Sequence, residues 1–174
     1  MLDEMEQMAR EEYEITGGER WKTEDFAYRD EAGISWWQNE RLLCFTLSYV
    51  SYTGGAHPST WRQAVSFDLS TGKTVSVTDL ATDINQLEEA VYQLILRQIQ
   101  DSGDTSYFSD YDKTVVDWIE RSVFYNANGV TIVFNTYDIA PYSAGEQTFF
   151  IPYDLVKPYL NDYGLHLLEL EPGI

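Results

Sequence analysis

Between Asp83 and Gln100, Ile84, Leu87, Val91, Leu94, Ile95 and Ile99 recur at spacings of three and four, which gathers them on one face of a helix of about five turns. Thr82 or Asp83 stands where the N-cap belongs, and Gly103 lies just past the far end. A helix with one apolar face needs a second layer to bury it against. The other apolar runs in the chain are short, rich in aromatic and branched residues, and bounded by turn signals, so that layer is a sheet.

The strand pattern is read on both sides of this helix. Ile34–Gln38 and Leu42–Tyr52 flank Asn39-Glu40 as a hairpin, with Phe45, Leu47, Tyr49 and Ser51 on one face. Trp61–Leu69 alternates and enters Ser70-Thr71-Gly72-Lys73, a turn leading into Thr74–Val77. Ser122–Tyr125 and Val130–Asn135 enclose Asn126-Ala127-Asn128-Gly129, a strong hairpin turn, and Gln147–Ile151 reads as a strand. Arg20–Arg29 and Leu165–Leu170 are weaker strand patterns. Leu2–Glu14 is a short acidic helix ended by Thr16-Gly17-Gly18, with further short helices expected at Val115–Glu120 and, opened by Pro152, at Tyr153–Leu160. The fold class is therefore α+β: an antiparallel β-sheet with one main amphipathic helix packed on it and short additional helices. At 174 residues one domain is expected, with an N-terminal helix and linker over 1–18, a strand-rich part over 19–80, and the main helix plus C-terminal strands over 81–174.

Chemistry is hard to find in this chain. Tyr52-Thr53-Gly54-Gly55-Ala56-His57-Pro58-Ser59-Thr60 is a shaped loop between strands: the two glycines release the backbone, and Pro58 keeps His57 out of a helix. It lacks the third glycine and following helix of a dinucleotide fingerprint. The only other histidine, His166, lies in the C-terminal strand pattern, and no HxxxH, HExxH or CxxC spacing occurs, so zinc is disfavoured. No GxSxG elbow provides a nucleophile, and Ser51 or Ser59 is near His57 only in sequence. Asp101, Asp104, Asp110 and Asp112 lack the EF-hand spacing and read as a solvated loop rather than a calcium site. Carboxylate pairs for glycan hydrolysis are too easily found among 29 acidic residues to carry weight. No catalytic residue, metal or cofactor is therefore assigned. His57 is assigned mainly a structural role, its ring bonded to loop backbone.

The 29 acidic and 11 basic residues leave a net charge of −18, spread along the chain. Such a field repels nucleic acid and anionic membranes and draws in basic proteins, at rates that salt suppresses. The blander reading is that acidity keeps the protein soluble. Thirteen Tyr, eight Phe and five Trp favour sheets and contact surfaces built on aromatic rings. A second loop, Tyr137-Asp138-Ile139-Ala140-Pro141-Tyr142-Ser143-Ala144-Gly145, is either a protein-recognition loop or a packed connection. Cys44, between Leu43 and Phe45, reads as a small buried hydrophobe. No run approaches the length of a membrane span, and no charged-then-apolar signal sequence opens the chain.

Taken in order, Tyr52-Thr53-Gly54-Gly55-Ala56-His57, Phe67-Asp68-Leu69, Thr71-Gly72-Lys73, Thr78-Asp79-Leu80, Tyr137-Asp138-Ile139-Ala140-Pro141-Tyr142 with Gly145, and Ile151-Pro152-Tyr153 resemble the extracytoplasmic domain of the RsiV type. The resemblance runs from about Phe26 to Tyr159. The family includes the lysozyme-sensing ectodomain of the anti-sigma-V factor and a non-catalytic region attached to peptidoglycan deacetylases. It implies a non-enzymatic, outward-facing domain at the cell surface, tethered by an upstream membrane span. The implied function is sensing by an anti-sigma factor, with a basic protein such as lysozyme as partner. The alternative is an accessory domain that binds peptidoglycan or an envelope protein, where stacking by Trp61 or Tyr142 would dominate. The expected contact surface is His57, Pro58, Ser59 and Thr60 together with Pro141, Tyr142 and Ser143.

Overall fold

The structure is a computed structural model that describes residues 2–18 and 28–170. It is α+β, with two antiparallel sheets. In chain order the elements are α1 (Leu2–Thr16), β1 (Arg29–Gln38), β2 (Leu42–Tyr52), β3 (Ser59–Asp68), β4 (Thr74–Val75), α2 (Val77–Leu80), α3 (Ile84–Ser102) and α4 (Tyr111–Val115), followed by β5 (Ser122–Tyr125), β6 (Gly129–Phe134), β7 (Gln147–Pro152), α5 (Tyr153–Val156) and α6 (Asp162–Leu167). Single 3₁₀ turns occupy Trp118–Glu120, Tyr142–Ala144 and Lys157–Tyr159. The strand orders are β1-β2-β3-β4 and β5-β6-β7. Among the described residues, no helix is long and apolar enough to cross a membrane.

The described residues divide into two compact units, one from those within 1–33 and 48–61 and a second from those within 34–47 and 62–174. In the first, α1 carries an Arg10–Glu6 pair at 2.6 Å one turn apart, and the Tyr28 hydroxyl donates to Glu12 Oε2 at 2.7 Å. Met8 of this helix is 47% exposed. The strand pattern at Arg20–Arg29 falls largely outside the described residues, although Arg29 itself opens β1.

The second unit holds a core built around α3. Asp83 caps this helix, its carboxylate accepting from the Asn85 and Gln86 amides, and Gly103 closes it in the left-handed region. Leu87, Val91, Ile95 and Ile99 are buried, each stabilising the unit by about 2 kcal/mol on area grounds. The helix packs on the three-stranded sheet, where Gln98 Nε2 donates to the Phe150 carbonyl at 3.1 Å, and on the 3₁₀ turn before it, where Trp118 Nε1 donates to the Glu88 carbonyl at 3.0 Å. β6 is the middle strand and pairs Val130 with Tyr125 on one side and with Ile151 on the other. Its residues are buried on both faces except Thr131, which explains a run without alternation. Cys44 is buried, as expected, with its thiol free.

Three local readings are corrected. Leu165–Leu170 forms no strand: Asp162–Leu167 is α6, capped by Asn161, whose side chain accepts from the Gly164 amide at 2.8 Å. The buried residues there are Gly164, Leu167 and Leu168, a helical spacing that the Leu-His-Leu alternation hides. Val77 opens α2 instead of closing a strand, because the Asp79 carboxylate accepts from the Ser76 amide at 2.8 Å and starts a helical turn. The short helix expected at Val115–Glu120 is split into α4, which ends at Val115, and the 3₁₀ turn at Trp118–Glu120.

Candidate functional site

The glycine loop belongs to the first unit. β2 ends at Tyr52 and β3 begins at Ser59, so Ser59 and Thr60, read as loop residues, open a strand. Gly54 and Gly55 sit at φ +86° and +115°, a region that side chains resist. The Tyr52 hydroxyl donates to the Gly55 carbonyl at 3.0 Å and folds the loop onto its own strand. His57 Nδ1 lies 3.1 Å from the Pro58 carbonyl. That contact is the structural role expected of the ring, with Nδ1–H donating. His57 and Ser59 are exposed, while Pro58 and Thr60 are half-buried. On the following residue, the Trp61 ring stacks on Tyr49 with centroids 5.1 Å apart and planes 29° from parallel. Burial, and then the Asp30 carboxylate, raises the Tyr49 phenol above its ordinary pKa, so this ring stays neutral.

Pro141, Tyr142 and Ser143 lie in the second unit, on a connection pinned at both ends. Asp138 N–H donates to the Asn135 carbonyl, and Asn135 N–H donates in return to Asp138 Oδ2 at 2.8 Å. Phe108 N–H donates to the Ile139 carbonyl, and Ile139 and Ala140 are fully buried. Beyond them, Gly145 N–H closes the 3₁₀ turn on the Tyr142 carbonyl. Gln147 Nε2 holds the Ala144 carbonyl at 2.9 Å, and its Oε1 accepts from the Tyr107 hydroxyl at 3.0 Å. Burial first, then Asp104 and Tyr111, raises the Tyr107 pKa, which keeps that hydroxyl a donor.

Inside the first of these pins, between Asn135 and Asp138, stands Tyr137, at φ +73° and 55% exposed. A bulky side chain in the left-handed region is an outlier that costs of order 1 kcal/mol and persists only where its surroundings over-determine it. Here the reciprocal bonds between Asn135 and Asp138 impose it. The result brings the exposed Tyr137 ring to 6.0 Å from that of the half-buried Tyr142. Sequence reading named the loop but not Tyr137 as a contact residue. The available signal was the Asn and Asp pair around it, a combination that favours local backbone bonding.

The acidic segment 101–112 is organised locally. Asp104 accepts from the Ser106 amide at 2.8 Å, the main cause of its lowered pKa, while Asp110 and Asp112 lie at the start of α4. Among the described residues, no group of three or more His, Cys, Asp or Glu side chains is placed to hold a metal. His166 is an exposed residue of α6, which leaves each histidine in its own unit.

Comparison with known proteins finds a match over part of the chain. Residues 77–154 match the family described as a protein of unknown function, DUF3298. No curated protein matches this chain. Among solved structures, a DUF3298 family member from Bacteroides fragilis superposes with a TM-score of 0.74 at 20% identity, covering 97% of this chain and 68% of that one. A DUF3298 family protein from Pseudomonas aeruginosa gives 0.58 at 25% identity, covering 84% and 66%. This chain thus spans about two thirds of the length of each. Over residues 77–154 it carries the DUF3298 domain pattern, and its fold is similar to that of DUF3298 proteins.

Proposed function

We propose that this protein is a non-enzymatic extracytoplasmic binding domain of the RsiV type that presents rigid loops to a basic protein partner, with lysozyme the leading ligand. The observation that carries this reading is the exposed Tyr137 ring, set beside the half-buried Tyr142 on a loop fixed by Asp138, Ile139 and Gln147. Tyrosines on a pre-ordered loop offer large contact area at little further entropy cost, which suits recognition of a folded partner. The charge of −18 supplies the long-range attraction toward a cationic surface. In this reading the domain is the sensing part of an anti-sigma factor, held outside the cell by a membrane tether.

The glycine loop is a separate contact candidate. His57, Pro58, Ser59 and Thr60 form a continuous edge in their own unit, and each loop is tested by its own variant. The second reading, an accessory domain that contacts peptidoglycan or an envelope protein, draws on the stack of Trp61 on Tyr49, a platform that suits a sugar ring or a flat apolar group.

Titration with hen lysozyme at low and high salt, with lysozyme activity followed in parallel, tests the proposal. Micromolar or tighter binding that weakens with salt is expected, with Tyr142→Ala and Ser59→Trp each reducing affinity in a folded domain. Absence of binding at micromolar concentration refutes the lysozyme reading. Binding to isolated peptidoglycan, lost on Trp61→Ala, supports the second.

A further inference from the structure

The four-stranded sheet ends beside β4 in an edge that is only half covered. β4 is two residues long and pairs Ser66 and Phe67 alone. The direction of the backbone groups along this edge is fixed at both ends of β3. Asp68 N–H donates to the Lys73 carbonyl at 3.0 Å. Six residues earlier, Arg62 N–H donates to Asn135 Oδ1 at 2.6 Å, and the Arg62 carbonyl accepts from Ser122 Oγ at 2.7 Å. Backbone groups alternate sides along an antiparallel strand. The amide and carbonyl of Ala64 therefore leave by the same edge, between the part covered by β4 and the part closed by Asn135 and Ser122.

β5 is the outer strand of the other sheet. Asn126 N–H donates to the Gly129 carbonyl, so Phe124 and Ser122 turn their backbone groups toward β6, and those of Val123 and Tyr125 turn away from it. Among the described residues no pairing joins β3 to β5. Between Ala64 on one side and Val123 and Tyr125 on the other lies a groove of about 180 Å³, walled by Val75, Val77 and Ile119. Two strand edges thus border one apolar trough.

Two side-chain donors of the same groove lack an acceptor. Arg121 Nε and the Tyr125 hydroxyl are both buried without a hydrogen-bond partner, and Tyr125 is 5% exposed. The rest of the guanidinium reaches toward Asp138 at 3.9 Å and lies over the Phe134 ring. Buried donors left unmatched are costly, so a ligand that brings acceptors recovers that cost on binding.

We propose that this groove takes an extended peptide strand from a partner protein, with a small branched apolar residue between Val75 and Val123 and a carboxylate that accepts from Arg121. The strand pairs with Ala64 on one side and with Val123 on the other, so it adds to two sheet edges at once. The local preference opposes the global field: a lysine at that position would meet Arg121, and a glutamate would meet an unmatched donor. The groove adjoins the tyrosine loop through Asp138, which faces Arg121, but its strand pairing at Ala64 and Val123 does not depend on that loop's partner.

The test uses the pentapeptide acetyl-Thr-Val-Thr-Val-Glu with a free carboxyl end, and the amidated form ending in Lys, titrated into the isotope-labelled protein by NMR with amide hydrogen exchange at saturation. The expected result is shifts centred on Ala64 and Val123, exchange of both amides slowed about tenfold or more, and the Glu peptide binding about tenfold tighter than the Lys peptide. Arg121→Gln should erase that preference. Ala64→Pro, which removes only an outward N–H on an edge, should abolish binding with little change in melting temperature. Unchanged exchange at Ala64 and Val123 with millimolar peptide, equal affinity for both peptides, or wild-type binding by a folded Ala64→Pro protein overturns the proposal. Should Ala64→Pro not fold, the wild-type exchange data decide.

Discussion

Asp68 is the residue whose replacement most directly tests how the second unit is held together. Its side chain sits at the end of β3, 3% exposed. Oδ1 accepts from the Ser70 amide at 2.7 Å, the Ser70 hydroxyl at 2.6 Å and the Thr71 amide at 3.3 Å. Oδ2 accepts from the Tyr163 hydroxyl of α6 at 2.9 Å. One carboxylate thus orders the β3–β4 turn and ties the C-terminal helix to it. The hydrogen bond from the Ser70 hydroxyl, aided by those from Tyr163, the Ser70 amide and Thr71 and opposed by burial, lowers its pKa to about 2. Burial and then Asp68 itself push the Tyr163 phenol up to about 12.

Because the folded value lies below the ordinary carboxylate value, the unfolded chain binds more protons between pH 4 and 2. The contribution is therefore complete above about pH 4 and fades as pH falls through about 2. The difference converts to about 2.5 kcal/mol at 1.36 kcal/mol per unit, and solvent near this surface turn reduces it to about 1–2 kcal/mol. Asp68→Asn keeps the shape, loses the charge, and turns one acceptor into a donor. Urea unfolding followed by tryptophan fluorescence should show the variant about 1–2 kcal/mol less stable at pH 7. The gap between variant and wild type should shrink to about a third of its pH 7 size by pH 2.5 and close only below about pH 2. Comparing the pair at each pH cancels the large charge effect common to both proteins. A gap below about 0.5 kcal/mol at pH 7, or one that stays constant down to pH 2.5, refutes the reasoning.

Gly164→Ala should lower stability by about 1–3 kcal/mol, seen as a drop in melting temperature, because the added methyl would run into the Leu80 carbonyl and side chain. Asp83→Ala should cost about 1 kcal/mol in urea unfolding by leaving the Asn85 and Gln86 amides uncapped, while Asp83→Asn should recover most of it. Tyr137→Gly should raise the melting temperature by relieving the left-handed strain, worth about 1 kcal/mol, and at the same time weaken lysozyme binding in a surface titration.

How much was legible in the sequence depended on whether a local signal and a tertiary one agreed. At α3 they did: Asp83, the Leu87–Ile99 stripe and Gly103 all point to one helix, and the core uses that same face. The Asn126–Gly129 turn likewise needed nothing outside itself. At the C-terminus they conflicted. Leu165 and Leu167 around His166 look like alternation, yet the burial that decides the matter falls on Gly164, whose value lies in having no side chain against Leu80. A glycine carries no hydropathy signal, so the stripe it completes is invisible until Leu80 is in place.

The candidate contact loops were legible in a different way. Their glycines and prolines mark them as shaped loops, and this alone located Pro58 and Pro141. What the shapes expose depends on bonds to distant residues: Phe108 and Tyr107 pin the second loop through Ile139 and Gln147, both far along the chain. Tyr137 stands out only once Asn135 and Asp138 are seen to bond each other across it. The aromatic content that looked like a general property of the chain is therefore divided by burial. Phe134, Trp118 and Tyr153 fill the core of the second unit, while Tyr137 is held outward by a backbone that costs energy to keep, beside the half-buried Tyr142. The left-handed backbone at Tyr137 is thus the point where the proposed contact role can be tested apart from the fold, since Tyr137→Gly relaxes the backbone and removes the ring together.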